Sequence, residues 1–326
     1  MTVNSQTTST TSRSIRIGTR GSPLALRQAN MVNEALSRAW PGLKTEIVVI
    51  RTSGDWSPAD GEQRLSEAAG GKGQFAKEIE EALMAGRIDA GVHSMKDMES
   101  FLPSGLVIDH MLPREDVRDC FIFRNDFKHI RSLLDLPEGF VVGTSSVRRA
   151  AFLKAIRPDI VIVPVRGNVQ TRLDKLQAGA QGMGATMLAM AGLKRLGLEH
   201  QADLVLEPDE MLPSAGQGAV GIEVRQDDLE VLSIFSQISC YETVIKVKSE
   251  RAALATLDGS CHTPIGAYAT YEGGEMSLHV KVSSVDGAAF YEQFAKEKIL
   301  DVAAAEALGA QLGRALLNVM PSGFMD

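Results

Sequence analysis

The chain has 326 residues, more than a single hydrophobic core usually serves, so two or three domains are expected. Its 44% hydrophobic and 23% charged residues exclude a disordered or fibrous polymer, and a formal net charge of −7 argues against a nucleic-acid partner, whose phosphates are held by summed Lys and Arg charge. Three scattered cysteines, Cys120, Cys240 and Cys261, are too few for a disulfide framework or a thiolate zinc site and suit a reducing compartment, while no run of about 18 apolar residues offers a membrane span.

Residues 1–13, rich in Ser and Thr and without an apolar core, read as a disordered tail rather than a secretory leader, and the protein is expected in the cytoplasm. Short β-branched runs then alternate with amphipathic stretches, the pattern of βα units feeding a parallel sheet. A strand is expected over 14–19, with Ser22 as cap and Pro23 opening a helix through Leu36. A second strand over 45–51 precedes the polar segment 52–73, which has no periodic pattern and reads as a lid. A helix over 74–85 carries Phe75, Ile79, Ala82 and Leu83 at helical spacing, and a strand over 88–93 leads into Ser94-Met95-Lys96-Asp97. Strands over 140–143 and 160–165, each followed by a helix, mark a second α/β domain. A Pro/Gly-rich hinge around Met211-Leu212-Pro213 and Gly216-Gln217-Gly218 precedes an α+β module.

In open parallel sheets ligands bind beyond the carboxyl ends of the strands. Basic residues fall there repeatedly: Arg20, Lys96, Arg148-Arg149 and Arg166, with Arg172 slightly further on. Any one of them alone is an ordinary solvated charge. Their shared location argues otherwise, as does the placing of Arg148 and Arg149 in the first turn of a helix capped by Ser145 or Ser146, where the dipole disfavours cations unless an anion binds. A polyanion site lined by arginine follows, with guanidinium groups suited to carboxylates. Gly70-Gly71-Lys72-Gly73 lacks the spacing and the following Ser or Thr of a phosphate loop. Asp97, the one carboxylate among these cations, either balances Lys96 or stabilises a developing cation and moves a proton. Cys261 lies in a Gly/Pro-bounded loop and is either an inert thiol or a reactive one; no companion residues recur at metal-ligand spacing.

Taken together, these segments resemble the porphobilinogen deaminases over nearly the whole chain from Ile15. The carriers are Gly18-Thr19-Arg20-Gly21-Ser22-Pro23-Leu24-Ala25, Gly70-Gly71-Lys72-Gly73, His93-Ser94-Met95-Lys96-Asp97 and Gly143-Thr144-Ser145-Ser146-Val147-Arg148-Arg149. Beyond them come Arg166-Gly167-Asn168-Val169 with Arg172, Ala191-Gly192-Leu193-Lys194-Arg195-Leu196-Gly197, Gly216-Gln217-Gly218-Ala219, and Gly259-Ser260-Cys261 with Pro264-Ile265-Gly266.

The resemblance implies two periplasmic-binding-protein-like doubly wound α/β domains, residues 14–112 with 218–238 and residues 113–217, plus a smaller α+β domain at 239–326. It implies a monomeric transferase that joins four porphobilinogen molecules into hydroxymethylbilane, releasing ammonia, on a dipyrromethane cofactor bound covalently at Cys261. Asp97 would be the catalytic carboxylate. Lys96, Thr144, Ser145, Ser146, Arg148, Arg149 and Asn168 would hold the cofactor. Arg20, Ser22, Arg166, Arg172, Arg195 and Gln217 would hold substrate, and Lys72 and Phe75 would sit at the base of the lid; no metal is implied. The chain departs from the family pattern before the glycine loop at Ser66-Glu67-Ala68-Ala69, at Gln74, at Met98-Glu99 in place of Val-Pro, and at Gly184, where an aspartate is common. Rival readings are a non-catalytic anion-binding module, a phosphoryl-transfer enzyme and a family member with impaired catalysis.

Overall fold

The computed structural model describes residues 13–52, 76–257 and 263–325. In chain order the first stretch forms β1 (Ile15–Thr19), α1 (Pro23–Ala39), β2 (Thr45–Val49), α2 (Lys77–Met84) and β3 (Ala90–Ser94), which runs directly into a 3-10 turn at Met95–Asp97, and then β4 (Leu106–Met111). The next forms β5 (Asp119–Phe123), β6 (Val141–Gly143), α3 (Val147–Ile156), β7 (Val161–Val163), α4 (Val169–Gln177), β8 (Ala185–Ala189), α5 (Met190–Arg195) and β9 (Leu204–Leu206). The chain returns as β10 (Val220–Arg225) and α6 (Leu229–Ser236), and ends with α7 (Tyr241–Thr256), β11 (Ile265–Glu272), β12 (Glu275–Ser283), β13 (Phe290–Lys298) and α8 (Val302–Val319).

Local chemistry sets the helix starts. Ser22 caps α1, its hydroxyl accepting from the Ala25 amide, and Pro23 occupies the first turn, where its missing N–H costs nothing. Gln28, Ala29, Val32 and Leu36 then fall on one buried stripe against the first sheet. Ser146 caps α3 and Asn168 caps α4 in the same way, accepting from the amides of Arg149 and Thr171. The expected strand over 160–165 is shorter, Val161–Val163, because Pro164 offers no ladder donor. That over 88–93 is shifted to Ala90–Ser94.

The sheets differ from the all-parallel expectation. The first has the order β2-β1-β3-β10-β4 and the second β7-β6-β8-β5-β9. In each, one strand is reversed: β10 pairs antiparallel with β3 and β4, and β5 with β8 and β9. The chain changes sheets twice, from Met111 to Asp119 and from Leu206 to Val220. Both passages leave from the carboxyl end of a strand and enter the other sheet at that same end, so the arriving strand must run backwards. Asp119 accordingly sits beside Ala189 and Leu206, the last residues of β8 and β9. This brings the start of β5 to the end of the sheet where ligands bind.

The third sheet is an antiparallel meander, β11-β12-β13. Met276, Leu278, Val280 and Val282 alternate inward and are wholly buried beneath α7 and α8. These two helices approach so closely that a Cβ on Gly309 would overlap the Ser249 carbonyl.

Two further expectations are refined. Arg13, assigned to the tail, is tied to the fold: it donates to Asp89 at 2.8 Å and to Asp228 at 2.9 Å. The lid segment 53–73 lies outside the described residues, as does the start of the helix expected at 74. Gly184 is buried in front of Phe140, whose ring occupies the place of a side chain; any Cβ there would overlap it. Gly184→Ala is therefore expected to cost roughly 1–3 kcal/mol by overpacking. A urea-unfolding midpoint unchanged from the parent would show that Phe140 swings aside.

Candidate active site

The site is built at the carboxyl ends of β3 and β6, which the crossover segments bring together. From β3 the chain turns tightly at Met95–Asp97, leaving Lys96 partly buried and Asp97 exposed. Met95 anchors the turn with a side chain that is 1% exposed. Gln28 of α1 donates to the Ser94 hydroxyl at 2.7 Å and fixes its approach. Asp97 makes no hydrogen bond among the described residues.

From β6 the chain passes through Thr144 and Ser145 to the cap Ser146. Ser145 both donates to the Val165 carbonyl (2.9 Å) and accepts from its amide (3.1 Å), locking the β6–α3 and β7–α4 loops together. Thr144 accepts from the Ser146 amide at 3.2 Å. Thr144, Ser145 and Ser146 line a cavity of about 440 Å³, bounded on its far side by Ser284, Val285, Asp286 and Phe324 of the third unit.

Arg148 and Arg149 are buried, and both engage Asp119 at the head of β5. Arg148 Nη2 donates to one carboxylate oxygen at 2.7 Å. Arg149 donates to the other through Nε (3.1 Å) and Nη2 (2.7 Å), and Gln217 Nε2 donates to that same oxygen at 2.9 Å. Burial opposes ionisation of Asp119, but the two guanidinium groups overcome it and hold the carboxyl well below its usual range. The pair Arg148 and Arg149, expected as ligand clamps, is thus first a structural triad with an internal carboxylate. One negative charge against two leaves the cluster positive.

Lys96 lies near enough to this cluster to feel its charges. Burial, reinforced by the neighbouring Arg149, pulls its ammonium down to about 8, with Asp97 and Asp119 opposing. Arg195, at the end of α5, donates to the Gly218 carbonyl at 2.7 Å and is pulled down to about 10 by burial. Arg166 is buried in the loop after β7; Arg172, partly buried, donates through Nε to Gly167 O at 2.8 Å. Arg20 and Ser22 lie at the end of β1, partly buried. Asn168 is exposed and serves as the α4 cap. Of the cysteines, Cys120 is a core residue whose thiol is pushed up to about 12 by burial, while Cys261, like Lys72 and Phe75, lies outside the described residues.

This donor set fits a ligand rich in carboxylates. The Nε groups of Arg148 and Arg195 are buried without a hydrogen-bond partner among the described residues and the cluster keeps net positive charge, while the likewise unpartnered Oε1 of Gln217, an acceptor, suits an N–H rather than a carboxylate. A dipyrromethane bearing several carboxylates would neutralise it.

Three features escaped the sequence reading. One is Asp119, whose signal was available: an acid heading the wholly buried strand Asp-Cys-Phe-Ile-Phe must be paired. A second is Glu250 of α7, fully buried, which receives Arg114 through two hydrogen bonds of 2.7 and 3.0 Å and also accepts the Gly216 and Ala269 amides. It ties both crossover segments to the third unit. The last is Arg251, treated below.

Comparison with known proteins places this geometry. The family model for "Porphobilinogen deaminase, dipyromethane cofactor binding domain" matches residues 15–233, and that for "Porphobilinogen deaminase, C-terminal domain" matches residues 244–318. A porphobilinogen deaminase of Paracoccus denitrificans is 47% identical over 315 residues, 96% of each chain. That of Nitrobacter hamburgensis is 48% identical over 302 residues, 92% of each chain. Among solved structures, the second substrate-binding domain of Lactococcus lactis GlnP aligns with a TM-score of 0.41 at 13% identity, covering 69% of this chain and 88% of that one. With both of its models matched in order and full-length relatives near half identity, the chain belongs to the porphobilinogen deaminase family.

Proposed function

We propose that this chain works as its family does, as a transferase of tetrapyrrole biosynthesis that joins four porphobilinogen molecules head to tail into hydroxymethylbilane with release of ammonia. The observation that carries this reading is the pairing of family membership with a carboxylate, Asp97, that makes no hydrogen bond among the described residues and acts on Lys96, which in turn feels the buried pair Arg148 and Arg149.

When bound, dipyrromethane would supply the free pyrrole carbon that the first unit joins, later units joining the growing end until water cleaves the finished tetrapyrrole from the primer. Cys261 is its proposed point of attachment, through a thioether. Its carboxylates are held by Lys96, Arg148 and Arg149, with Thr144, Ser145, Ser146 and Asn168 adding hydrogen bonds. Arg20, Ser22, Arg166, Arg172, Arg195 and Gln217 receive the carboxylates of incoming porphobilinogen. Asp97 accepts the pyrrole N–H and stabilises the positive charge that spreads over the ring as the carbon–nitrogen bond to ammonia breaks. After the carbon–carbon bond forms, the ring proton must leave, and the same carboxylate is placed to take it. The family resemblance suggests a cytoplasmic monomer, and the charge of −7 supports the reading that no nucleic acid is a partner; among the described residues no helix is long and apolar enough to cross a membrane.

Incubating the purified protein with porphobilinogen tests the reaction: ammonia and an uncyclised tetrapyrrole are expected in a ratio of four to one. Porphobilinogen recovered unchanged from fully loaded protein would instead leave a binding module.

The lowered Lys96 gives a pH dependence. Between about 8 and the ordinary lysine value near 10.4 the folded chain holds fewer protons than the unfolded one, so the contribution of Lys96 to stability rises with pH there. Ligand affinity runs the other way, because the site loses a positive charge. Cofactor loading of the apoprotein incubated with porphobilinogen is expected to fall several-fold between pH 7.5 and 9, and Lys96→Met to load less from the start and lack that inflection. An inflection retained in the variant would assign it to another group.

A further inference from the structure

The turn that carries Lys96 and Asp97 has little to hold it from within. Within the turn Met98 N donates to Met95 O at 3.3 Å, and Met95 N reaches outside it to Ala219 O at 3.1 Å. The rest of its grip comes from outside. On one side Gly216, with φ of 72°, lies so near that a Cβ would come within 2.7 Å of Met95 Cβ and 3.3 Å of the Lys96 amide. On the other side stands α7. Met95 and Met98 bury their side chains in one cluster with Val244 and Val247, and the guanidinium of Arg251 spreads over the back of the turn. Its Nη1 donates to Met95 O (3.4 Å) and Met98 O (3.2 Å), and its Nη2 to Glu99 O. The side chains of Lys96 and Asp97 take no part in any of these bonds.

We infer that Arg251 is a positioning residue: its guanidinium staples the Met95–Glu99 backbone to α7 and so fixes where the Asp97 carboxylate sits. The chemistry of chain growth makes the spacing matter. Each new unit must be joined at a carbon brought to the same carboxylate, and a displacement of about 1 Å can cost a hundredfold in rate. Only a planar fork reaches three carbonyls at once; a lysine ammonium is a single point. Burial pulls the Arg251 guanidinium down to about 10, with Glu99 and Glu223 opposing, a cost consistent with its neutral carbonyl partners.

The inference rests on Asp97 being the catalytic carboxylate, and its test separates the two. Arg251→Met and Arg251→Lys are prepared as holoenzymes, with loading checked by intact mass, and compared with the parent for kcat, KM, thermal midpoint and hydrogen exchange of the 95–99 amides. Expected are full loading, KM within about twofold, kcat lowered about 10- to 100-fold in the Met variant with partial recovery in the Lys variant, and faster exchange confined to the turn. Parental kcat per loaded molecule, or turn amides as protected as in the parent, would overturn the inference; so would a loss of activity that only follows the thermal midpoint. If the Met variant does not accumulate folded, the Lys variant decides by the same criteria. Exchange at the turn needs no turnover, so it reports on the staple even if Asp97→Ala proves active and the carboxylate's role falls.

Discussion

Replacing Asp97 with alanine lowers kcat by about a thousandfold or more and leaves the fold, the thermal midpoint and the mass of loaded protein as in the parent. The magnitude follows from removing a preorganised charge at the point where positive charge develops, an effect worth two to three orders of magnitude in kcat for one hydrogen-bonding group. The loss of a proton acceptor adds to it. Stability is unaffected because Asp97 is exposed and contributes no hydrogen bond among the described residues. Asp97→Glu, which keeps the charge but shifts it by a methylene, should fall between the two. Normal turnover by Asp97→Ala would remove the catalytic assignment and return the residue to balancing Lys96.

Asp119→Asn is expected to destabilise the protein by about 3–5 kcal/mol, the usual cost of removing one partner from a buried ion pair. Here the deletion strands two guanidinium groups, Arg148 and Arg149, which are 4% and 5% exposed, and takes an acceptor from Gln217. The amide also directs an N–H at a donor. The pH dependence has a definite sign. Because the folded carboxyl is depressed below its unfolded value, its contribution is complete above about pH 4 and is lost as pH falls through the lower, folded value. Urea unfolding at pH 7 and pH 3.5 reads both effects: the gap between parent and variant should be large at pH 7 and smaller at pH 3.5. A gap below about 1 kcal/mol at pH 7 would show that Arg148 and Arg149 find other partners. Cofactor loading should fall as well, since the clamp is assembled on this carboxylate.

Much of the site was legible because strand ends announce themselves. The cations after β1, β3, β6 and β7 could be placed from periodicity, and Ser22-Pro23 and Ser146 mark helix starts by chemistry that acts within four residues. Strand direction is different. Nothing local distinguishes β5 or β10 from a parallel strand; the reversal comes from where the chain crosses between sheets. The pairing of Arg148 with Asp119 spans 29 positions and that of Arg114 with Glu250 spans 136, so each looks like an isolated surface charge until the fold closes. The cost of leaving an acid unpaired at the head of an apolar strand was the available clue to Asp119. Ser145 and Asn168, expected to bind ligand, also have structural duties, joining two loops and capping α4. Sequence spacing does not separate those roles.

The central claim is that this chain builds its product on a primer attached at Cys261. The denatured intact mass of the purified protein, set beside that of Cys261→Ser, tests it most directly. An added mass matching two linked pyrroles in the parent and absent from the variant is the predicted result. A parent of unmodified mass that stays unmodified after incubation with porphobilinogen, or an adduct that persists in the variant, would contradict it.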